Sequence, residues 1–195
     1  MGKSVGRRGF TIDYDRKYVV ITASSGDRVG ANSGSTLFII DVKSGKILKK
    51  VSPNYSVVEP ILTSDCIITS GARRGVIQCH DWDLQEVVWR TELGSGSRVW
   101  SNPVFSENHN IIYLVTSDTG TIVDATRRDD RYSSSIIGIN ADTGSIVFSR
   151  QMIKKGVWDF DGVGKPILVE NFSSDDGNMY DLVVGLNKNR DCVCT

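Results

Sequence analysis

The chain has 195 residues, and its 23 Lys and Arg are matched by 23 Asp and Glu, so its formal net charge is zero. That length suffices for one domain with a real core, and the balanced charge gives no footing for nucleic acid or an anionic membrane surface. No apolar run approaches the ~20 residues that a bilayer span needs, and residues 1–6 carry a charge without the apolar region of a secretory signal.

Nearly every apolar run is short, β-branched or aromatic, and bounded by Gly, Ser, Asn or Asp, which is the pattern of strands. No window of a dozen residues holds a 3.6-residue apolar period, so any helix is short. Residues 18–22 (YVVIT) form a first strand, followed by a Gly- and Ser-rich loop over 23–35. Residues 37–48 then give an apolar run, Asp41, a turn ending in Gly45, and a second apolar run. This reads as a hairpin, in which the Asx side chain bonds the turn backbone and Gly takes a positive φ.

The same order returns twice. Residues 66–69 (CIIT) repeat the strand, 70–75 form a tight loop, and 76–89 are a degenerate hairpin with Asp81 and with Gln85 in place of the glycine. Residues 111–116 (IIYLVT) open the third unit, whose hairpin over 135–148 carries Asn140 and Gly144. Between them lies the longest loop, 117–134, rich in charge from Asp118 to Arg131; a long polar insertion on a regular repeat usually carries function or disorder rather than core. A fourth unit begins at Trp158 and runs through 166–169 and 181–186, but residues 187–195 bring no hairpin.

Hairpins recurring at intervals of roughly 40 to 60 residues predict an all-β, propeller-like array in which each unit is one sheet. A propeller abolishes its edges by closing on itself. Three units and part of a fourth therefore predict a partial β-propeller, a segment of a larger ring, with blades over 7–58, 59–98, 99–157 and an incomplete 158–195. Cys66 and Cys79 lie in apolar strands and are expected as buried thiols, while the two-residue spacing of Cys192 and Cys194 is a weak metal signal. Trp89, at the end of the second hairpin, is expected to pack between blades.

One ordered series is more specific: Trp100 within VWSNP (99–103), Asp118 after YLVTS, the Arg-rich loop to Tyr132, ADTG (141–144), Gln151, and VWDFD (157–161) followed by KPILV (165–169). In order and spacing it resembles the quinoprotein dehydrogenases, β-propellers that bind pyrroloquinoline quinone (PQQ). Weaker likeness reaches back to residues 7–10 and forward to 187–189. The resemblance implies about three to four four-stranded antiparallel blades of an eight-bladed ring, and an enzyme that oxidises an alcohol, polyol or sugar by hydride transfer to PQQ. It implies Trp100 as the stacking floor of the cofactor and Lys188 as the cation on its quinone oxygens. Asp159 corresponds to the catalytic base, and Asp118, Asp159 and Asp161 to carboxylates for Ca²⁺ or a lanthanide ion. A cytochrome or quinone as electron acceptor and a periplasmic location are implied likewise.

The chemistry agrees with those residue types. A flat tricarboxylated quinone wants an aromatic face and cations at its edge, a hard cation wants carboxylates, and hydride removal from an alcohol wants a base for the hydroxyl proton. Three departures stand out: the loop over 70–75 lacks the family's metal-binding Glu, no vicinal cysteine pair occurs, and Val115 and Ser117 stand where glycines are usual. They favour a divergent member acting on larger alcohols, polyols or sugars. The alternative is a non-catalytic propeller of the same repeat type serving as a scaffold for protein assembly; such a scaffold has no reason to gather Trp100, Asp118, Asp159 and Lys188 at one end.

Overall fold

The protein is described by a computed structural model that covers residues 4–24, 35–52, 58–71, 75–94, 97–118, 131–154, 161–188 and 192–194. All regular structure among these residues is strand. The first sheet joins β1 (Ser4–Asp13), β2 (Tyr18–Ser24), β3 (Ser35–Asp41) and β4 (Ile47–Val51) in chain order. β5 (Ile61–Leu62), β6 (Cys66–Ser70), β7 (Val76–Asp81) and β8 (Val87–Glu92) form the second. The third holds β9 (Val104–Ser106), β10 (Ile111–Val115), β11 (Ser135–Asn140) and β12 (Ile146–Gln151). A fourth sheet has three strands, β13 (Gly162–Ser173), β14 (Met179–Asn187) and β15 (Cys192–Cys194). Every pairing is antiparallel between sequence neighbours, so the architecture is that of propeller blades laid side by side without closure.

Burial explains the strand patterns. Sheet two is covered on both faces. Ile67 packs with Val20, Leu37, Ile39 and Leu84 toward sheet one, whereas Cys66, Ile68, Ile77 and Cys79 pack with Ile112, Leu114, Ile137 and Ile139 toward sheet three. β6 and β7 are therefore buried along nearly their whole length, polar Thr69, Gln78 and His80 included, while β3, covered on one face, alternates. The last strands β4, β8 and β12 are largely exposed, and the first strands of neighbouring sheets touch, β1 against β5 and β9 against β13. Trp89 joins sheets two and three as expected, its Nε1 donating to the Ala141 carbonyl at 2.9 Å. Lys49, at the corresponding place in sheet one, donates to the Trp82 carbonyl at 3.2 Å.

The hairpins share one turn device. Asp41 Oδ1 accepts the Ser44 N–H at 2.7 Å, and Asn140 Oδ1 accepts the Thr143 N–H at 3.0 Å. Gly45 and Gly144 then take φ of +67° and +70°, a region that side chains with a Cβ rarely enter. The second hairpin differs from the sequence expectation. Its left-handed residue is Leu84 (φ +57°), not Gln85, because the Leu84 N–H closes a tighter turn on the Asp81 carbonyl at 3.0 Å. The fourth unit also differs: Cys192–Cys194 pairs with Val184 to Leu186, so a third strand follows β14 where none was read.

Cys66 and Cys79, expected as separate thiols, form a disulfide with Cα atoms 5.8 Å apart. The register explains it: Cys79 lies opposite Ile68, which places Cys66 diagonally beside it on the same face. Reduction is expected to lower the unfolding free energy by about 3 kcal/mol, from the loop it releases in the unfolded chain. Urea midpoints with and without reductant, and resistance of both residues to alkylation before reduction, check this. An unchanged midpoint with readily alkylated thiols would refute it.

Acid acts on the fold through two kinds of group. Burial lowers the pKa of His80 below its ordinary 6.5; the residue is 3% exposed and its Nε2 lies 3.3 Å from Thr69 Oγ1. Below 6.5 the unfolded chain therefore binds more protons than the folded one, and stability falls. Asp176, pulled down to about 2 by the Asn178 N–H and the Tyr180 hydroxyl, adds stability that is present above pH 3.8 and lost as the pH falls toward 2. Both effects have the same sign. The urea midpoint should decline steadily from pH 7 to pH 3, and His80→Asn should flatten the part that begins near 6.5. A midpoint constant from pH 7 to 4 would contradict the assignment.

Candidate functional site

In each antiparallel sheet, the start of the first strand and the end of the second lie at one end, with the first and third turns at the other. Trp100 precedes β9, Asp118 follows β10, Asp161 precedes β13 and Lys188 follows β14. All four thus belong to one end of sheets three and four. Asp159 lies outside the described residues, as does the charged loop over 119–130.

Backbone contacts at Thr116 draw these segments together. Val99 forms an antiparallel bridge with Thr116, the Ser117 N–H donates to the Arg98 carbonyl at 2.8 Å, and the Arg98 N–H donates to Ser117 Oγ at 3.1 Å. On its other side, Thr116 accepts the Gly162 N–H at 3.1 Å. This approach requires a glycine: a Cβ on Gly162 would stand 2.0 Å from Val115 Cγ1 and 2.7 Å from the Thr116 carbonyl oxygen. Val115 and Ser117, where the family pattern has glycines, are accommodated by Gly162 and by the Arg98 backbone.

Asp161 and Lys188 meet directly beyond this joint, beside the Asp118 backbone. Asp161 Oδ1 accepts the Asp118 N–H at 3.1 Å, Asp161 Oδ2 accepts Lys188 Nζ at 2.7 Å, and the Lys188 N–H donates to the Asp161 carbonyl at 3.0 Å. Asp118 is buried at 4% exposure, whereas Lys188 remains open to solvent. Trp100 is half-buried on the segment that bridges to Thr116. The structure therefore brings Asp118, Asp161 and Lys188 into contact and carries Trp100 on the adjoining backbone. In sheet two the equivalent position is Gly71, whose carbonyl accepts the Val99 N–H at 3.3 Å; neither Ser70 nor Gly71 offers a carboxylate.

Residues 76–192 match the PQQ family described as the glucose/ethanol/alcohol dehydrogenase beta-propeller domain, which is more than half of the chain. The chain belongs to this PQQ dehydrogenase family. A quinoprotein glucose dehydrogenase of Escherichia coli (strain K12) is 23% identical over 186 residues, covering 80% of this chain and 23% of the relative. Other curated relatives are quinate, alcohol and methanol dehydrogenases. Among solved structures, a europium-containing methanol dehydrogenase superposes with a TM-score of 0.76 at 18% identity, covering 95% of this chain and 38% of that one. BamB from Moraxella catarrhalis shares the fold with a TM-score of 0.58 at 17% identity, covering 97% of this chain and 60% of that one. The chain spans about a quarter of the length of the curated relatives it matches.

The donor set of this PQQ-family segment suits the family's cofactors. The Asp161 carboxylate, held by the Asp118 N–H from the neighbouring sheet, is an oxygen donor of the hard type that calcium or a lanthanide takes. Among the described residues no group of three or more His, Cys, Asp or Glu gathers that could hold a metal ion. An ammonium, that of Lys188, is paired with Asp161, and ammonium and indole are the types that a flat anionic quinone takes. The sequence reading missed the frame formed by Arg98, Thr116 and Gly162. Its one visible signal was Gly162, directly after the second Asp.

Proposed function

We propose that this chain is part of a PQQ-dependent dehydrogenase oxidising an alcohol, polyol or sugar, with its sheets as blades over 7–58, 59–98, 99–157 and 158–195. The observation that supports the reading most is the contact of Asp118, Asp161 and Lys188 at the end of the sheets that also carries Trp100. When bound, PQQ supplies the two-electron acceptor, and a hard cation beside it polarises the quinone carbonyl. Trp100 offers the aromatic floor, Lys188 a hydrogen bond to the quinone oxygens, and Asp118 and Asp161 the carboxylates for Ca²⁺ or a lanthanide. Asp159 takes the substrate hydroxyl proton as hydride leaves the carbon, and also reaches the metal.

The electron acceptor in this reading is a cytochrome or a quinone. The location is the periplasm, in keeping with a disulfide, which oxidising compartments favour. No described helix is long and apolar enough to cross a membrane. The test is a chain extended to a closed ring, supplied with PQQ and Ca²⁺ or a lanthanide, and assayed for dye reduction with alcohols, polyols and aldoses. No reduction with any of them would sink the proposal. The second reading, a non-catalytic propeller serving as an assembly scaffold, has no use for the Asp118–Asp161–Lys188 contact.

A further inference from the structure

We propose that a cavity between sheets one and two, with Gln78 and His80 in its wall, binds a small neutral molecule that has an apolar ring and a hydroxyl head. The strand register builds it. Thr69 lies opposite Gln78 and Ile67 opposite His80, and residues two apart on a strand point the same way, so all four share one face. Ile67 packs with Val20, Leu37 and Ile39 of sheet one, which places Thr69, Gln78 and His80 in that same interface. The three are 2%, 6% and 3% exposed. The opposite face of these strands is apolar instead, with Ile68, Ile77 and Cys79 against Ile112, Leu114 and Ile137 of sheet three.

Buried polar groups are as a rule hydrogen-bonded. Here Thr69 Oγ1 and His80 Nε2 meet at 3.3 Å, but among the described residues neither the Gln78 amide nor the second ring nitrogen of His80 has a partner. Both side chains line a cavity of about 240 Å³, whose other walls include Val51, Leu84 and Val87. A dry cavity of roughly 150 Å³ holds one benzene ring, and drug-sized sites run from ~300 Å³ upward, so the space suits a single ring with a small head. Burial keeps the imidazole neutral at pH 7, so the inner wall has no charge to offset a charged head. Glu86, exposed at the rim, repels an anion further. A hydroxyl both donates and accepts, so it serves the amide and the imidazole whichever tautomer the ring takes.

The test is a titration of the 195-residue chain with cyclohexanol, followed by NMR of the His80 ring and the Gln78 side-chain amide. The chain has two histidines, so the His109 ring, on the turn before β10, is the internal control. Saturable shifts at His80 and Gln78, with His109 unmoved, are the expected result. Gln78→Leu keeps the bulk and removes the amide, and is expected to weaken binding about fivefold. Val87→Trp, at an exposed position of the wall, is expected to abolish it while leaving the circular dichroism unchanged. Cyclohexanecarboxylate, the same ring with an anionic head, is expected to bind at least about tenfold more weakly than the alcohol. No saturable shift, equal binding of alcohol and carboxylate, or binding that survives both substitutions would each overturn the proposal.

Discussion

Replacing Asp159 by Asn is expected to lower turnover of the closed, PQQ-loaded ring by about 10²–10⁴-fold, the range that a positioned general base contributes. The substitution preserves size and hydrogen bonding but removes the proton acceptor, so substrate and cofactor should still bind. Turnover at saturating substrate with a dye acceptor, together with the absorbance of bound PQQ, reads the two effects apart. Loss of rate with PQQ retained identifies a base. Loss of bound PQQ or metal instead makes Asp159 chiefly a ligand, and a rate within tenfold of wild type would remove it from the mechanism. Trp100→Ala in parallel should release PQQ.

Gly162→Ala is expected to destabilise the chain by about 3 kcal/mol, the upper range for overpacking a closed contact. The added methyl would meet Val115 Cγ1 at 2.0 Å and the Thr116 carbonyl at 2.7 Å, and the carbonyl belongs to backbone that is pinned on both sides. Relief requires β13 to move away from β10, which draws Asp161 off the Asp118 N–H. A shift of the urea midpoint, coupled with faster hydrogen exchange at the Asp118 amide, is the expected pair of results. A stable variant would show that the joint yields more easily than its bonds suggest.

The repeat was legible because its strands advertise themselves. β2, β6 and β10 are β-branched runs between polar loops, and the turns of the first and third hairpins announce themselves by Asp41 with Gly45 and by Asn140 with Gly144. β5 and β9 were not separable from the connections, since two or three residues hold too little alternation to read. The turn at Leu84 was misplaced by analogy with its sister hairpins, because Asp81 bonds Gln85 and Glu86 in a turn of different closure. The disulfide was hidden in the strand register, since Cys66 and Cys79 meet only once Ile68 is set opposite Cys79. At the site, the residue types came from an ordered family pattern, but the bond between Asp161 and Lys188 spans 27 positions and no local rule couples them.

Neighbouring sheets are stitched together through single backbone carbonyls, those of Gly71 to Val99 and of Thr116 to Gly162, and through a close approach that tolerates no side chain. The last strands add side-chain links of their own, Trp89 Nε1 to the Ala141 carbonyl and Lys49 Nζ to the Trp82 carbonyl. The joints thus fix a few backbone groups at one end and a few side chains of the last strands, while the exposed positions of β4, β8 and β12 can change without breaking any of these links.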